Sequence, residues 1–246
     1  MTEPLPYFLA FGAGIAAGTL NVIAAAGSLI TLPILLFIGL PAAVANGTNR
    51  IAILTQNVVA VAGFRSRGYA DFRGGSKLAA VTVPGAVVGA LLAVEVPDVW
   101  FRRILAGVIV LAALGMFARP KPPDTQAVVK RGAAAYLTMF GIGVYGGFIQ
   151  AGVGILLLIA FYHVLRVDLV RANMYKVFVV GVYTIPALIV FLATTGVAWG
   201  IGVVLAAGNG IGALIGTRIA VRGGEPVIRR VVGLVLLLMA LRLVTW

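Results

Sequence analysis

Apolar residues in this chain come in long unbroken runs, not in alternation or narrow stripes. The runs cover about residues 5–39, 42–64, 78–95, 104–118, 133–165, 170–193, 200–218 and 231–246. A single helical crossing of a bilayer takes about 20 apolar residues. Most runs fit one crossing, but 5–39 and 133–165 are too long. Gly27-Ser28 and Pro33 interrupt the first of these, which divides into segments 5–24 and 28–39. Each long run is therefore expected to form a broken or re-entrant helical hairpin. Stretches such as VVGLVLLLMAL at 231–241 do not alternate, which argues against a transmembrane β-barrel. The predicted architecture is an all-α polytopic membrane protein with about eight to ten transmembrane segments.

The pattern of the first half returns in the second. Gly18-Thr19-Leu20-Asn21 aligns with Gly147-Phe148-Ile149-Gln150, and Asn49-Arg50 with Tyr175-Lys176. Gly68 aligns with Gly196, Gly85 and Gly89 with Gly212 and Gly216, and Phe101-Arg102-Arg103-Ile104 with Ile228-Arg229-Arg230-Val231. Order and spacing hold throughout, so the chain divides into a first repeat at 1–118 and a second at 132–246. Between them lies a proline-bearing linker at 119–131, expected to be cytoplasmic. Basic segments at 65–77, 119–131 and 218–230 are placed in the cytoplasm, and the weakly charged 95–103 and 194–199 outside. Segments equivalent in the repeats then fall on opposite sides, so the repeats are inverted.

Composition supports this picture and narrows the chemistry. The 246 residues are 61% hydrophobic and 11% charged, with a mean hydropathy of +1.10. A soluble domain carries roughly a quarter of its residues as charged side chains. The net charge of +12 would suggest nucleic acid in a soluble protein. Here the cations lie in loops and set topology, so no nucleic-acid partner is expected. Cysteine is absent and histidine occurs once, as His163, so disulfides and metal sites are not expected. No cofactor is expected either. The first 40 residues lack a basic region ahead of the apolar stretch, so no cleavable signal peptide is read there.

Polar residues inside apolar spans are the candidates for function, because each costs free energy without a partner or a wet cavity. Arg50 lies about two turns inside its helix, and Lys176 is its repeat counterpart. No carboxylate lies near either in sequence, which suggests an anion site. The competing role is a cation that snorkels or pairs with a helix C-terminus. Asn21 and Gln150 stand at equivalent places before the hairpin breaks, which are read at Gly27-Ser28 and Val153-Gly154. Amide donors and freed backbone N–H groups there could meet anion oxygens. Interhelical hydrogen bonding is the alternative for these amides. Asn46, Thr48, Asn49, Gln56, Asn57, Asn173 and Tyr175 flank the same places, each more readily read as structural. Gly85, Gly89, Gly208, Gly212 and Gly216 form small-xxx-small faces suited to close packing, and Tyr69, Trp199 and Trp246 suit interface anchors. His163 and Asp168 are placed in a solvated turn. No acid lies within an apolar core, which argues against coupling through a buried carboxylate.

Residues 24–52, AAAGSLITLPILLFIGLPAAVANGTNRIA, resemble the first-repeat signature of the TauE/SafE family of sulfite exporters and related anion permeases. Residues 146–179 resemble the second. The resemblance covers essentially the whole chain. It implies permeation of a small anion such as sulfite, a sulfonate or a related oxyanion across the inner membrane. It also implies that Asn21, Ser28, Thr48, Asn49 and Arg50, then Gln150, Asn173 and Lys176, line the pathway. Two departures stand out: Ala24-Ala25-Ala26 before Gly27 replaces a glycine run, and Tyr175 replaces a small residue.

The expected function is secondary transport of a small anion by alternating access, with Arg50 and Lys176 attracting it near the midplane. Replacing Arg50 is expected to weaken binding far more than folding. The alternative is an anion channel with the same cationic lining. An enzyme is not expected, since no nucleophile–base or metal constellation is visible. The glycine faces would allow a homodimer.

Overall fold

In the computed structural model, residues 4–24, 27–69, 73–117, 133–165 and 169–220 are described. They form α1 (Leu5–Ala24), α2 (Ser28–Phe37), α3 (Ala42–Arg65), α4 (Arg73–Glu95), α5 (Asp98–Phe117), α6 (Ala133–Phe148), α7 (Val153–Leu165), α8 (Leu169–Thr194) and α9 (Trp199–Ala220). No strand occurs among the described residues. The linker at 119–131, most of the basic segment 218–230, the last apolar run 231–246, Asp168 and Trp246 lie outside them. So does the His163 side chain.

Four helices have the length and apolarity of a membrane crossing: α1, α4, α8 and α9. At 24 residues α3 is as long, about 36 Å at 1.5 Å per residue, but it carries the cluster from Asn46 to Asn57. In contrast α2, at 10 residues, reaches about 15 Å and cannot span. Large side chains such as Phe8, Leu111, Leu137 and Ile189 are exposed, as expected of a face turned to lipid.

Both long runs break, with two adjustments. Helix α2 continues through Pro33, so only the Gly27 region divides the first run. A missing proline N–H is tolerated in membrane helices whose neighbours satisfy the freed carbonyl. The second break lies at 149–152, and Val153 already begins α7. Two more helices begin earlier than their apolar cores, α4 at Arg73 and α5 at Asp98.

Helix pairing is the same when the halves are exchanged. The pair α1–α9 mirrors α4–α6, α3–α9 mirrors α4–α8, and α3 packs on α8. Glycines bring the backbones together. A Cβ at Gly85 would strike Phe140 O and Val144 N, and one at Gly89 would strike Val144 O and Phe148 N. Gly208 meets Phe11 O and Ile15 N, and Gly212 meets Ile15 O and Thr19 N. Phe11, Ile15 and Thr19 occupy the places of Phe140, Val144 and Phe148. Gly85 and Gly89 therefore correspond to Gly208 and Gly212, one helical turn from the sequence alignment. Gly68 and Gly196 each follow a helix C-terminus, with φ of +85° and +73°, a conformation open to glycine.

Gly89→Val should lower stability by about 1–3 kcal/mol, the usual cost of overpacking. Gly12→Val, where a Cβ meets nothing within 4 Å, should leave it unchanged. Thermal unfolding in detergent of the two variants beside the parent checks this.

Candidate functional site

The polar residues of α3 lie between two apolar clusters. One gathers Leu29, Leu32, Ala45 and Ala52 with α5, and the other gathers Ile53, Ala60 and Phe64 with α4 and α8. At this boundary Arg50 is fully buried. Its Nη1 donates to Gly146 O at 3.3 Å and to Gln150 Oε1 at 3.2 Å. Its Nη2 donates to Gly146 O and Asn46 Oδ1 and makes a short bond to Gly147 O. The guanidinium also stacks 4.8 Å above the Phe191 ring, a cation–π contact. Gly146 and Gly147 belong to the last turn of α6, whose carbonyls lack partners within the helix. Arg50 therefore caps α6, and the negative end of the helix dipole stabilises its charge.

Lys176 is its counterpart. It is 2% exposed, and its Nζ donates to Asn21 O at 2.9 Å and Asn173 Oδ1 at 2.8 Å. Asn21 is in the last turn of α1, so each cation holds the end of the other half's first helix. The acids among the described residues are Glu95 and Asp98, both at the α4–α5 junction. Asp98 Oδ1 accepts the Ala42 N–H at the start of α3, at 3.2 Å.

The two breaks meet. Ser28 at the start of α2 donates to Gln150 O at 3.0 Å, and Asn46 Nδ2 donates to Phe148 O at 2.7 Å. Gln150 Nε2 donates to Thr184 Oγ1 at 3.2 Å. Gln150 sits at φ +56°, a left-handed conformation uncommon for a residue other than glycine, asparagine or aspartate. The sequence signal, an amide just before a break, brought Gln150 to attention. The conformation shows why the chain reverses there.

Of the eight predicted pathway residues, Ser28, Arg50 and Gln150 form one hydrogen-bonded group. Lys176, Asn173 and the Asn21 carbonyl form another. Thr48 turns to the segment that leads into α9, where its Oγ1 accepts the Ala198 N–H at 2.9 Å. Asn49 is fully buried with neither side-chain polar atom bonded. Tyr175 packs edge-on against Phe161, with centroids 6.0 Å apart. Thr184, Tyr183 and Asn209 were not singled out from sequence. Asn209, an amide within an otherwise apolar run, carried a signal that could have found it.

The two cations do not share one level. Gly47 lies against Phe191, and Gly181 against Asn57, so α3 and α8 are antiparallel in that register. Lys176 then falls opposite Ala62, about twelve residues or ~18 Å along the helix from Arg50. The expectation of two cations attracting one anion at one depth is corrected to two cations at two depths.

Apolar helices of membrane length around a buried polar centre define a multi-pass membrane protein. The chain belongs to the sulfite exporter TauE/SafE family, whose model matches residues 10–243. It is similar to "Probable membrane transporter protein ORF9" of a Sinorhizobium species, 28% identical over 235 residues, covering 95% of this chain and 90% of the relative. It is also similar to "Probable membrane transporter protein YfcA" of Escherichia coli K12, 26% identical over 245 residues, covering 99% and 91%. A "Probable membrane transporter protein" of Haemophilus influenzae is 26% identical over 240 residues, covering 95% and 92%. No solved structure matches the chain significantly.

Because Arg50 satisfies buried carbonyls, its loss should reach folding as well as binding, contrary to the sequence expectation. Orphaned buried acceptors cost about 1–3 kcal/mol each. Arg50→Met should therefore lower the ligand-free melting temperature more than Lys176→Met, which frees fewer of them. Parallel melting curves in detergent check the order.

Proposed function

We propose that the protein is a secondary transporter of a small anion, sulfite or an organosulfonate, working in the inner membrane by alternating access between inverted repeats. The observation that carries this reading is Arg50: a fully buried cation held by helix-end carbonyls and amides, with no carboxylate bonded to it among the described residues. Such a cation is stabilised by dipoles and an aromatic face, and an anion of the right size competes with them on better terms. The repeat-exchanged helix pairing and the family's name support the same reading.

In this mechanism the anion displaces the α6 carbonyls from Arg50 and takes the guanidinium fork with two oxygens. The freed end of α6 then moves with its break, which opens the path on one side. Lys176 and the end of α1 do the same at the other depth after the anion has crossed. Ser28 and Gln150 tie the two breaks together, so release at one is felt at the other. With the basic segments cytoplasmic, Arg50 belongs to the outer half of the membrane and Lys176 to the inner half.

Proteoliposomes loaded with unlabelled sulfite should take up labelled sulfite against its gradient, and uptake should saturate. Uptake linear in concentration and without counterflow would favour the channel reading. Arg50→Lys keeps the charge and loses the fork, so it should cut transport at least tenfold while leaving the protein folded. Unchanged transport by that variant would remove Arg50 from the pathway.

A further inference from the structure

Every main-chain carbonyl of the second break has a donor. Tyr145 O accepts the Ile149 N–H, Ile149 O the Ala151 N–H, Gln150 O the Val153 N–H and Gly152 O the Ile155 N–H. Arg50 answers Gly146 and Gly147, and Asn46 answers Phe148. Ser28 also reaches Gln150 O, and the Tyr145 hydroxyl donates to Ala151 O. The main-chain acceptors from 145 to 152 are thereby all engaged.

Two buried donors at the same place are left over. Arg50 Nε and the Tyr183 hydroxyl have no hydrogen-bond partner among the described residues, and both residues are fully buried. They meet at Gly146. Its carbonyl takes both Nη atoms of Arg50, and a Cβ on it would stand 2.7 Å from the Tyr183 hydroxyl. The phenol is also within electrostatic reach of the Arg50 guanidinium and beside Gln150. Buried polar groups nearly always have partners, so exceptions gathered at one residue call for an occupant. Here the surplus is of donors around a positive charge. What is missing is an acceptor, and a negative one fits best.

We propose that Tyr183 binds the transported anion together with Arg50, its hydroxyl donating to one oxygen while the guanidinium takes the others through Nε and an Nη. This rests on the anion-transport reading above and adds a residue to its site. The place for the anion arises as the guanidinium turns away from Gly146 and Gly147. The phenol contributes a donor without adding charge, which suits an ion with at least two acceptor oxygens. Ser28, Asn46 and Gln150 spend their polar groups on holding the break. Tyr183 has no such bond to lose, so its hydroxyl serves the ligand and not the fold.

The test is Tyr183→Phe, which removes that oxygen alone. The purified full-length parent and variant are titrated in detergent with sulfite and with methanesulfonate, and their ligand-free melting temperatures are compared. The variant should bind both anions at least fivefold more weakly. Its ligand-free melting temperature should stay at or above that of the parent, because deleting an unpaired buried hydroxyl costs the fold nothing. A smaller loss of affinity overturns the proposal and means that the hydroxyl holds water only. A clear fall in melting temperature, or failure to fold, overturns it too, since the hydroxyl is then structural. If Tyr183→Phe binds like the parent while Arg50→Lys does not, the transporter reading stands without Tyr183. A parent that binds neither anion overturns both.

Discussion

The fold depends on how a bare cation is kept inside an apolar bundle. Burying an unpaired charge is costly, and the usual remedy is a carboxylate. Among the described residues, this protein uses helix ends instead. Breaking a helix within the membrane leaves carbonyls without partners, and a cation placed there resolves two problems together. The Arg50 guanidinium answers Gly146 and Gly147, and the Lys176 ammonium answers Asn21. Neither the breaks nor the cations would be tolerable alone.

That arrangement explains why the rest of the bundle is so tightly drawn. The glycine contacts of α1 with α9 and of α4 with α6 fix where the ends of α1 and α6 come to rest. The α3–α8 register then sets the depth of each cation. The break residues carry the strain, with Gln150 in the left-handed region and Gly152 at φ +72° beside it. A proton or ion route through acids has no visible foothold among the described helices, whose acids sit at the α4–α5 junction.

Much of the fold was legible because the solvent imposes a simple rule: apolar length means a crossing. Helices α1, α3, α8 and α9 match the apolar runs within a residue or two. The reading failed where charge and helix coincide. Arg73 to Lys77 and Asp98 to Arg103 are helical, so charge by itself did not mark the helix starts. The site was legible in part. Arg50, Lys176, Gln150 and Asn173 stood out as polar letters in apolar text. Their main-chain partners did not, because a carbonyl of the backbone has no letter. Nor did depth: the sequence alignment of Arg50 with Lys176 was silent on the ~18 Å between them. The one-turn offset between the glycine pairs was hidden because Gly208, Gly212 and Gly216 are themselves spaced by one turn.

The carbonyl partners of Arg50 and Lys176 have a consequence for how this protein can vary. A salt bridge between side chains can be inverted by exchanging both residues, and drift can follow that path in two steps. A cation bound to backbone has no such path, since no substitution changes the sign of a carbonyl. Reversing the charge at residue 50 or 176 would demand reversing a helix. The sign of the buried charge at each helix end is therefore written into chain direction, and a relative with a buried anion at either position would need a different arrangement, not a mutated version of this one.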